Sequence, residues 1–210
     1  MRNGLFTLAL LLPVAVAAQI PDPNAWSFER LMHERGQVQN ARADFVEVRK
    51  LSSGETRKSN GVLTYRAPDT LERQTSAPVA ERIVIEKDRM IMEVDMGTGQ
   101  PTHREFPLAR VPAMRPFFIA LRSLLAGDAE TLQRNFEITM EGNEAAWKLK
   151  LVPREQADKQ TRDIVFVGKG NELDTVELRQ KNGDSAYVSI KPISVELKPS
   201  SARPTLSRGG

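Results

Sequence analysis

The sequence predicts a mainly β, α+β domain, a large antiparallel sheet with helices over one side. Three observations predict it. Alternation of apolar and polar residues with a period of two recurs along most of the chain, as in strands with one buried and one solvated face. Turn sequences built on Gly, Asn, Asp and Pro separate these segments, which implies an antiparallel meander of about ten strands. A single apolar helix interrupts the pattern near the middle, at 114–125. A sheet with that many strands curls, and the helix has a stripe wide enough to lie across the concave face.

Residues 1–18 read as a cleaved secretory signal: Arg2 is the positive end, residues 5–16 are apolar apart from Thr7 and Pro13, and residues 15–18 are small. The apolar run falls short of the roughly 20 residues that span a bilayer. Residues 19–24, with Pro21 and Pro23, form an extended lead-in. Ser27 caps a short amphipathic helix carrying Phe28, Leu31 and Met32 and ending near Gly36.

From Ala43 the period changes. Residues 43–51 and 61–66 form a hairpin around Ser52-Ser53-Gly54-Glu55, with Leu63 and Tyr65 on one face. Pro68-Asp69 breaks the second strand, 71–75 resumes, and Pro78 precedes the strand at 79–86. After Lys87-Asp88-Arg89 comes a strand with Met90, Met92, Val94 and Met96 on one face and Ile91, Glu93 and Asp95 on the other. Thioethers make an apolar face soft and re-packable, which suits a flexible apolar ligand as well as a core. Residues 102–108 are the next strand.

In the central helix Pro112 and Pro116 belong to the first turn. Met114, Phe117, Phe118, Leu121, Leu124 and Leu125 then recur at helical spacing, Gly127 stops the helix, and Asp128 caps a second short one. A hairpin follows, with Phe136, Ile138 and Met140 on one arm and Trp147, Leu149 and Leu151 on the other. Strands at 163–167, 173–180 and 185–193 complete the sheet, and the Ser, Pro, Arg and Gly composition of 199–210 reads as a disordered tail. One domain, 19–198, is expected.

The net charge is +3, but of the 30 basic residues Arg2, Arg203 and Arg208 lie at the ends. The remaining 27 match the 27 acidic residues, so the domain is neutral, which argues against nucleic acid as a partner. There is no cysteine, hence no disulfide and no lipidated cysteine; an exported domain of this kind depends on its core. His33 and His103 have no metal-ligand spacing and read as surface residues. No nucleophile elbow or phosphate-binding glycine loop is present, and the carboxylates alternate with apolar residues and read as the solvated face. An enzyme is not expected, and neither is a metal or cofactor.

Ala43-Asp44-Phe45, the run from Gly61 through Tyr65 to Arg66-Ala67-Pro68, Leu71, Arg89-Met90-Ile91-Met92, the apolar helix, Leu124-Leu125-Ala126-Gly127-Asp128 and Phe136 together resemble the periplasmic outer-membrane lipoprotein carrier family LolA, in its LolA-related branch. The resemblance runs in order over nearly the whole chain after the signal. It implies an incomplete antiparallel β-barrel, open on one side, whose concave face takes acyl chains beneath a helical lid. By position it implies that Leu71 borders the cavity, that Leu63 and Tyr65 lie near it, and that the 114–125 helix is lid. The expected lining is Leu63, Tyr65, Leu71, Met90, Met92, Met114, Phe117, Phe118, Leu121 and Trp147.

The chain departs from the carrier at two places. The arginine that precedes the proline and ties the lid is Ala67 here, with Arg66 one residue earlier and so on the opposite face. A carrier aromatic is Arg73. These departures favour a dedicated lipid over a lipoprotein. The expected protein is thus a monomeric periplasmic carrier of lipoprotein or lipid acyl chains, passing cargo from an inner-membrane donor to an outer-membrane acceptor. The alternative is a periplasmic sensor domain that binds a membrane protein.

Overall fold

A computed structural model describes residues 26–97, 99–111, 114–154 and 160–199. The expected signal segment, the lead-in, Pro112 and all of the expected tail after Pro199 lie outside the described residues. The domain contains helix α1 (Phe28–Arg35), strands β1 (Val38–Lys50), β2 (Thr56–Arg66), β3 (Thr70–Ala77), β4 (Ala80–Glu86), β5 (Arg89–Asp95) and β6 (Thr102–Pro107), helices α2 (Arg115–Ala126) and α3 (Ala129–Asn135), then β7 (Phe136–Asn143), β8 (Ala146–Pro153), β9 (Thr161–Lys169), β10 (Glu172–Gln180) and β11 (Ser185–Leu197). A single 3₁₀ turn, Leu108–Arg110, follows β6.

Two meanders meet in one sheet. Among the described residues its eleven strands run β6-β5-β4-β3-β2-β1-β11-β10-β9-β8-β7, every neighbouring pair antiparallel. The seam is the long β1–β11 pair, in register from Val38↔Leu197 to Lys50↔Ser185, with bulges after Val38 and Arg42. Bulges bend a strand and increase its twist, and here they sit at the middle of the sheet. β6 and β7 remain as edges, so the barrel is incomplete. The chain between them carries α2 and α3 from one edge to the other across the concave side.

The local signals act as the residue chemistry requires. Ser27 Oγ accepts from the Arg30 N–H at 3.2 Å, and Asp128 Oδ1 accepts from the Thr131 N–H at 3.0 Å, each capping a helix. α2 begins at Arg115 with Pro116 in its first turn and ends at Gly127, which has φ +69°. A Cβ on Gly127 would stand 2.3 Å from the Met32 carbonyl oxygen and 2.5 Å from the Gly36 nitrogen, so the missing side chain also lets α1 approach α2.

Two expectations need correction. Met96 does not continue the apolar face of β5: that strand ends at Asp95 and Met96 is 74% exposed, because Gly97 starts the turn directly after it. Nor are charges confined to the solvated face. Glu47 and Arg73 point to the concave side, in phase with Phe45 and Leu71 two residues before them, and Glu47 is 5% exposed. The convex side carries its own ladder of charges, Arg66–Glu72–Arg82–Glu93–His103, running from β2 to β6. No helix among the described residues is long and apolar enough to cross a membrane.

Candidate functional site beneath the central helix

The site is built where α2 faces the seam of the sheet. Period two places Leu63 and Tyr65 on β2 and Leu71 and Arg73 on β3 toward the concave side, paired across the strands as Tyr65↔Leu71 and Leu63↔Arg73. Helical spacing places Phe117, Phe118, Leu121 and Leu125 on the underside of α2. The Phe117 and Phe118 rings meet edge to face, 5.6 Å between centroids and 64° between planes. Long-range pairing supplies the other wall: Phe45↔Ile190 across the seam and Val176↔Val188 beside it.

Between helix and sheet lie two hollows that share Leu63, Leu71, Leu121 and Ile190, and so form one groove. The first encloses about 60 Å³ and is bounded also by Arg35, Tyr65, Leu125 and Leu173. The second encloses about 40 Å³ and is bounded also by Phe45, Phe117, Phe118 and Val188. These enclosed spaces are well below the roughly 300–1,000 Å³ usual for small-molecule pockets, so a ligand of that size enters only if α2 moves; the walls are largely aliphatic and aromatic.

Charge stands at both ends. At one end Arg73 Nη2 lies 2.5 Å from Glu47 Oε2 and 3.0 Å from Ser59 Oγ, its guanidinium carbon 4.6 Å from the centroid of the Phe45 ring. Arg49 reaches the other carboxylate oxygen of Glu47 at 3.0 Å. Burial pushes the Glu47 carboxyl up, but the charges and hydrogen bonds of Arg73 and Arg49 outweigh it and hold the group below the ordinary carboxylate range. At the other end is Arg35 of α1, 4% exposed, donating from Nη1 to the Asn171 carbonyl at 2.6 Å. Burial draws its pKa down to about 10. Beside it, burial pushes the Tyr65 phenol up, and the Tyr65 hydroxyl donates to the Pro68 carbonyl at 3.1 Å.

Of the ten expected lining residues, the structure brings together Leu63, Tyr65, Leu71, Phe117, Phe118 and Leu121. It places four elsewhere. Met90 is buried between its cross-strand neighbours Ile85 and Phe106, and half-buried Met92 lies between Ile83 and Arg104; neither lines the two hollows. Met114, at the start of α2, faces a separate small recess with Leu178 and Ala186. Trp147, 1% exposed, is core: its Nε1 donates to the Gly170 carbonyl at 2.9 Å and its ring fills the space left by Gly168. Alternation finds the inward face but not the part of it that lines the hollows.

The groove residues that sequence reasoning missed include Arg35, Phe45, Glu47, Arg73, Leu173, Val176, Val188 and Ile190. Phase was an available signal for Phe45, Glu47 and Arg73, since the first two follow Ala43, and the third follows Leu71, at steps of two. The others depend on the seam and on the packing of α1. Arg66, by contrast, faces the convex side as its position requires and bonds Glu72 at 3.0 Å; α2 is tied instead by Arg122, which donates to the Lys87 carbonyl. Both histidines are exposed, and among the described residues no group of three or more His, Asp or Glu is placed to hold a metal ion.

Solved structures similar to this chain include the following three. One is a LolA superfamily protein of Nitrosomonas europaea, with 8% identity and a TM-score of 0.42 over 83% of this chain and 94% of that one. Another is a DUF1329 family protein of Desulfovibrio piger, with 7% identity and a TM-score of 0.37 over 83% and 92%. The third is the MucA/MucB complex of Pseudomonas aeruginosa, with 14% identity and a TM-score of 0.40 over 86% of this chain and 59% of that one. Comparison with curated proteins finds no match. The profile of the family described as outer membrane lipoprotein carrier protein LolA-like matches residues 20–191. The chain belongs to that LolA-like family.

Proposed function

We propose that the protein is a periplasmic carrier or chaperone that holds acyl chains of a lipoprotein or lipid in the groove beneath α2 and moves them toward the outer membrane. It is a binding protein in this reading, not an enzyme. The observation that carries it is the groove: two apolar hollows made continuous by Leu63, Leu71, Leu121 and Ile190. Family membership supports it. An inner-membrane donor and an outer-membrane acceptor complete the route in this account, with the protein acting as a monomer.

The physics needs no energy source within the carrier. Burying an acyl chain is worth about 0.8 kcal/mol per CH₂ relative to water, so a sixteen-carbon tail gains on the order of 10 kcal/mol gross. A bilayer offers the same gain, so transfer between membrane and groove is nearly balanced. α2, held by apolar contacts along one stripe, is the element that must yield for a chain to enter. The test is to purify the protein from its native host and extract it with organic solvent. Bound lipid is expected in the wild type and not in Leu71→Glu or, as a check on folding, in Leu121→Gln that melts cooperatively. Lipid-free wild type that ignores vesicles and apolar dyes, yet recovers a stoichiometric membrane-protein partner, would overturn the carrier reading in favour of a sensor domain.

A further inference from the structure

Three charged side chains are buried among the described residues: Arg35, Glu47 and Asp163. Glu47 is neutralised by Arg73, and Asp163 by Arg179 at 2.5 Å. Arg35 has no carboxylate partner. One carbonyl, that of Asn171, meets Nη1, while Nε is buried without any hydrogen-bond partner. The side-chain oxygen of Asn171 is likewise buried and unpartnered. A guanidinium keeps its charge under nearly all conditions and offers five donors. Removing it from water without a counter-charge is costly, and structures accept this where the charge has a task or a missing partner.

The position of this cation is specific. It closes the first hollow at the end away from Glu47, next to Tyr65, with Leu125 and Leu173 leading inward. The rim adds exposed Arg42, whereas the rim carboxylate Glu172 is drawn outward to Lys169 at 3.3 Å. The end is therefore positive, and what continues from it is apolar.

Resting on the proposal that the groove takes an acyl chain, we infer that Arg35 is the anchor for an anionic head, a carboxylate or phosphate carried on that chain, with the unpartnered Asn171 side-chain oxygen accepting from a hydroxyl of the same head. An oxyanion on Nε supplies the missing counter-charge, in the planar geometry that guanidinium and oxyanion share. The selection is for single-headed acidic amphiphiles over neutral lipids of the same chain length.

The test measures binding of laurate, dodecyl phosphate and 1-dodecanol, which share one chain, and of inorganic phosphate alone, by displacement of an apolar dye and by calorimetry. Wild type is expected to hold the two acidic amphiphiles about tenfold or more tighter than the alcohol. Arg35→Met is expected to erase that preference while leaving dodecanol within about twofold, and Arg35→Lys to retain part of it. The wild-type preference, and its weakening by salt, tests the inference even if a variant fails to fold. Equal affinities of acid and alcohol overturn the anchor and leave the groove reading intact. Failure of all three amphiphiles overturns the groove reading and the anchor with it. Saturable phosphate binding that matches dodecyl phosphate in strength overturns the lipid head in favour of a free oxyanion.

Discussion

Arg73 on β3 and Glu47 on β1 are joined across β2 by a 2.5 Å contact on the concave side of the sheet, on the face that otherwise packs apolar residues against α2. The pair sets the limit of the groove. A chain sliding along the apolar wall past Phe45 and Leu71 meets buried Glu47 and half-buried Arg73, which neutralise each other, with Ser59 and Arg49 beside them.

Breaking this pair is expected to cost more than removing it. Arg73→Met leaves Glu47 buried with Arg49 as its only cation. The loss for a fully buried pair is about 3–5 kcal/mol, and the 23% exposure of the Arg73 side chain places this case below that range. The double variant Arg73→Met, Glu47→Leu is expected to recover most of the loss. Urea midpoints of the two singles and the double check this, and strictly additive effects contradict it.

Acid stability follows from the same carboxylate. The folded pKa of Glu47 lies below its ordinary value, so its stabilisation is present above the unfolded pKa, about 4.3, and is lost as pH falls through the folded one. Glu72 adds to this on the convex side, held low by its hydrogen bond to Arg82, which with Arg66 outweighs the effect of burial. Stability is thus expected to fall below about pH 5, and the fall to be shallower in Glu47→Gln. Melting temperatures measured across that range decide; an unchanged slope in the variant removes Glu47 from the account.

Trp147 is expected to report on the core and not on cargo. Trp147→Ala should lose about 3–5 kcal/mol. Gly168→Ala should lose about 1–3 kcal/mol or more, because a Cβ there would lie 2.1 Å from the Glu172 carbonyl oxygen and 2.4 Å from the indole ring. In chemical denaturation both changes should shift the midpoint, while Trp147→Phe, if folded, binds apolar dye as the wild type does. Loss of dye binding in that folded variant would return Trp147 to the site.

The junction of α1 and α2 gives a fourth expectation. Gly127→Ala combines a left-handed backbone with a collision against the carbonyl of Met32, and a loss of about 2 kcal/mol or more is expected. Since Arg35 lies on α1, the same change should disturb the positive end of the groove before the Glu47 end. Hydrogen exchange of residues 28–36 against 43–47 distinguishes the two, and equal loss of protection at both ends speaks against it.

How much of this was legible beforehand depends on the range of the interaction concerned. A strand such as β8 was readable because each side chain is dictated by the face it meets, and faces alternate within a few residues. Capping at Ser27 and Asp128 and the stop at Gly127 are equally local. The groove was readable where alternation and the stripe of α2 meet, at Leu63, Leu71 and Leu121. It was not readable at Val188 and Ile190, which reach it only through a pairing between β1 and β11 that is remote in sequence. Met90 and Met92 share the inward face but fall outside the lining of the two hollows, a boundary that alternation does not mark. Glu47 and Arg73 were hidden because a charge in an alternating run is normally the solvated member. Two charges in inward phase on neighbouring hairpins are a usable sign of a buried pair.

The most direct test of the central claim is to load the protein with a fatty acid bearing a diazirine at its terminal carbon, irradiate, and map the adducts by peptide mass spectrometry. Labels are predicted within 61–73, 115–125 and 186–190, on the residues that line the groove, and are predicted to disappear in folded Leu71→Glu. Adducts confined to convex-side residues such as Val46 or Tyr187, or equal labelling of wild type and variant, would contradict it.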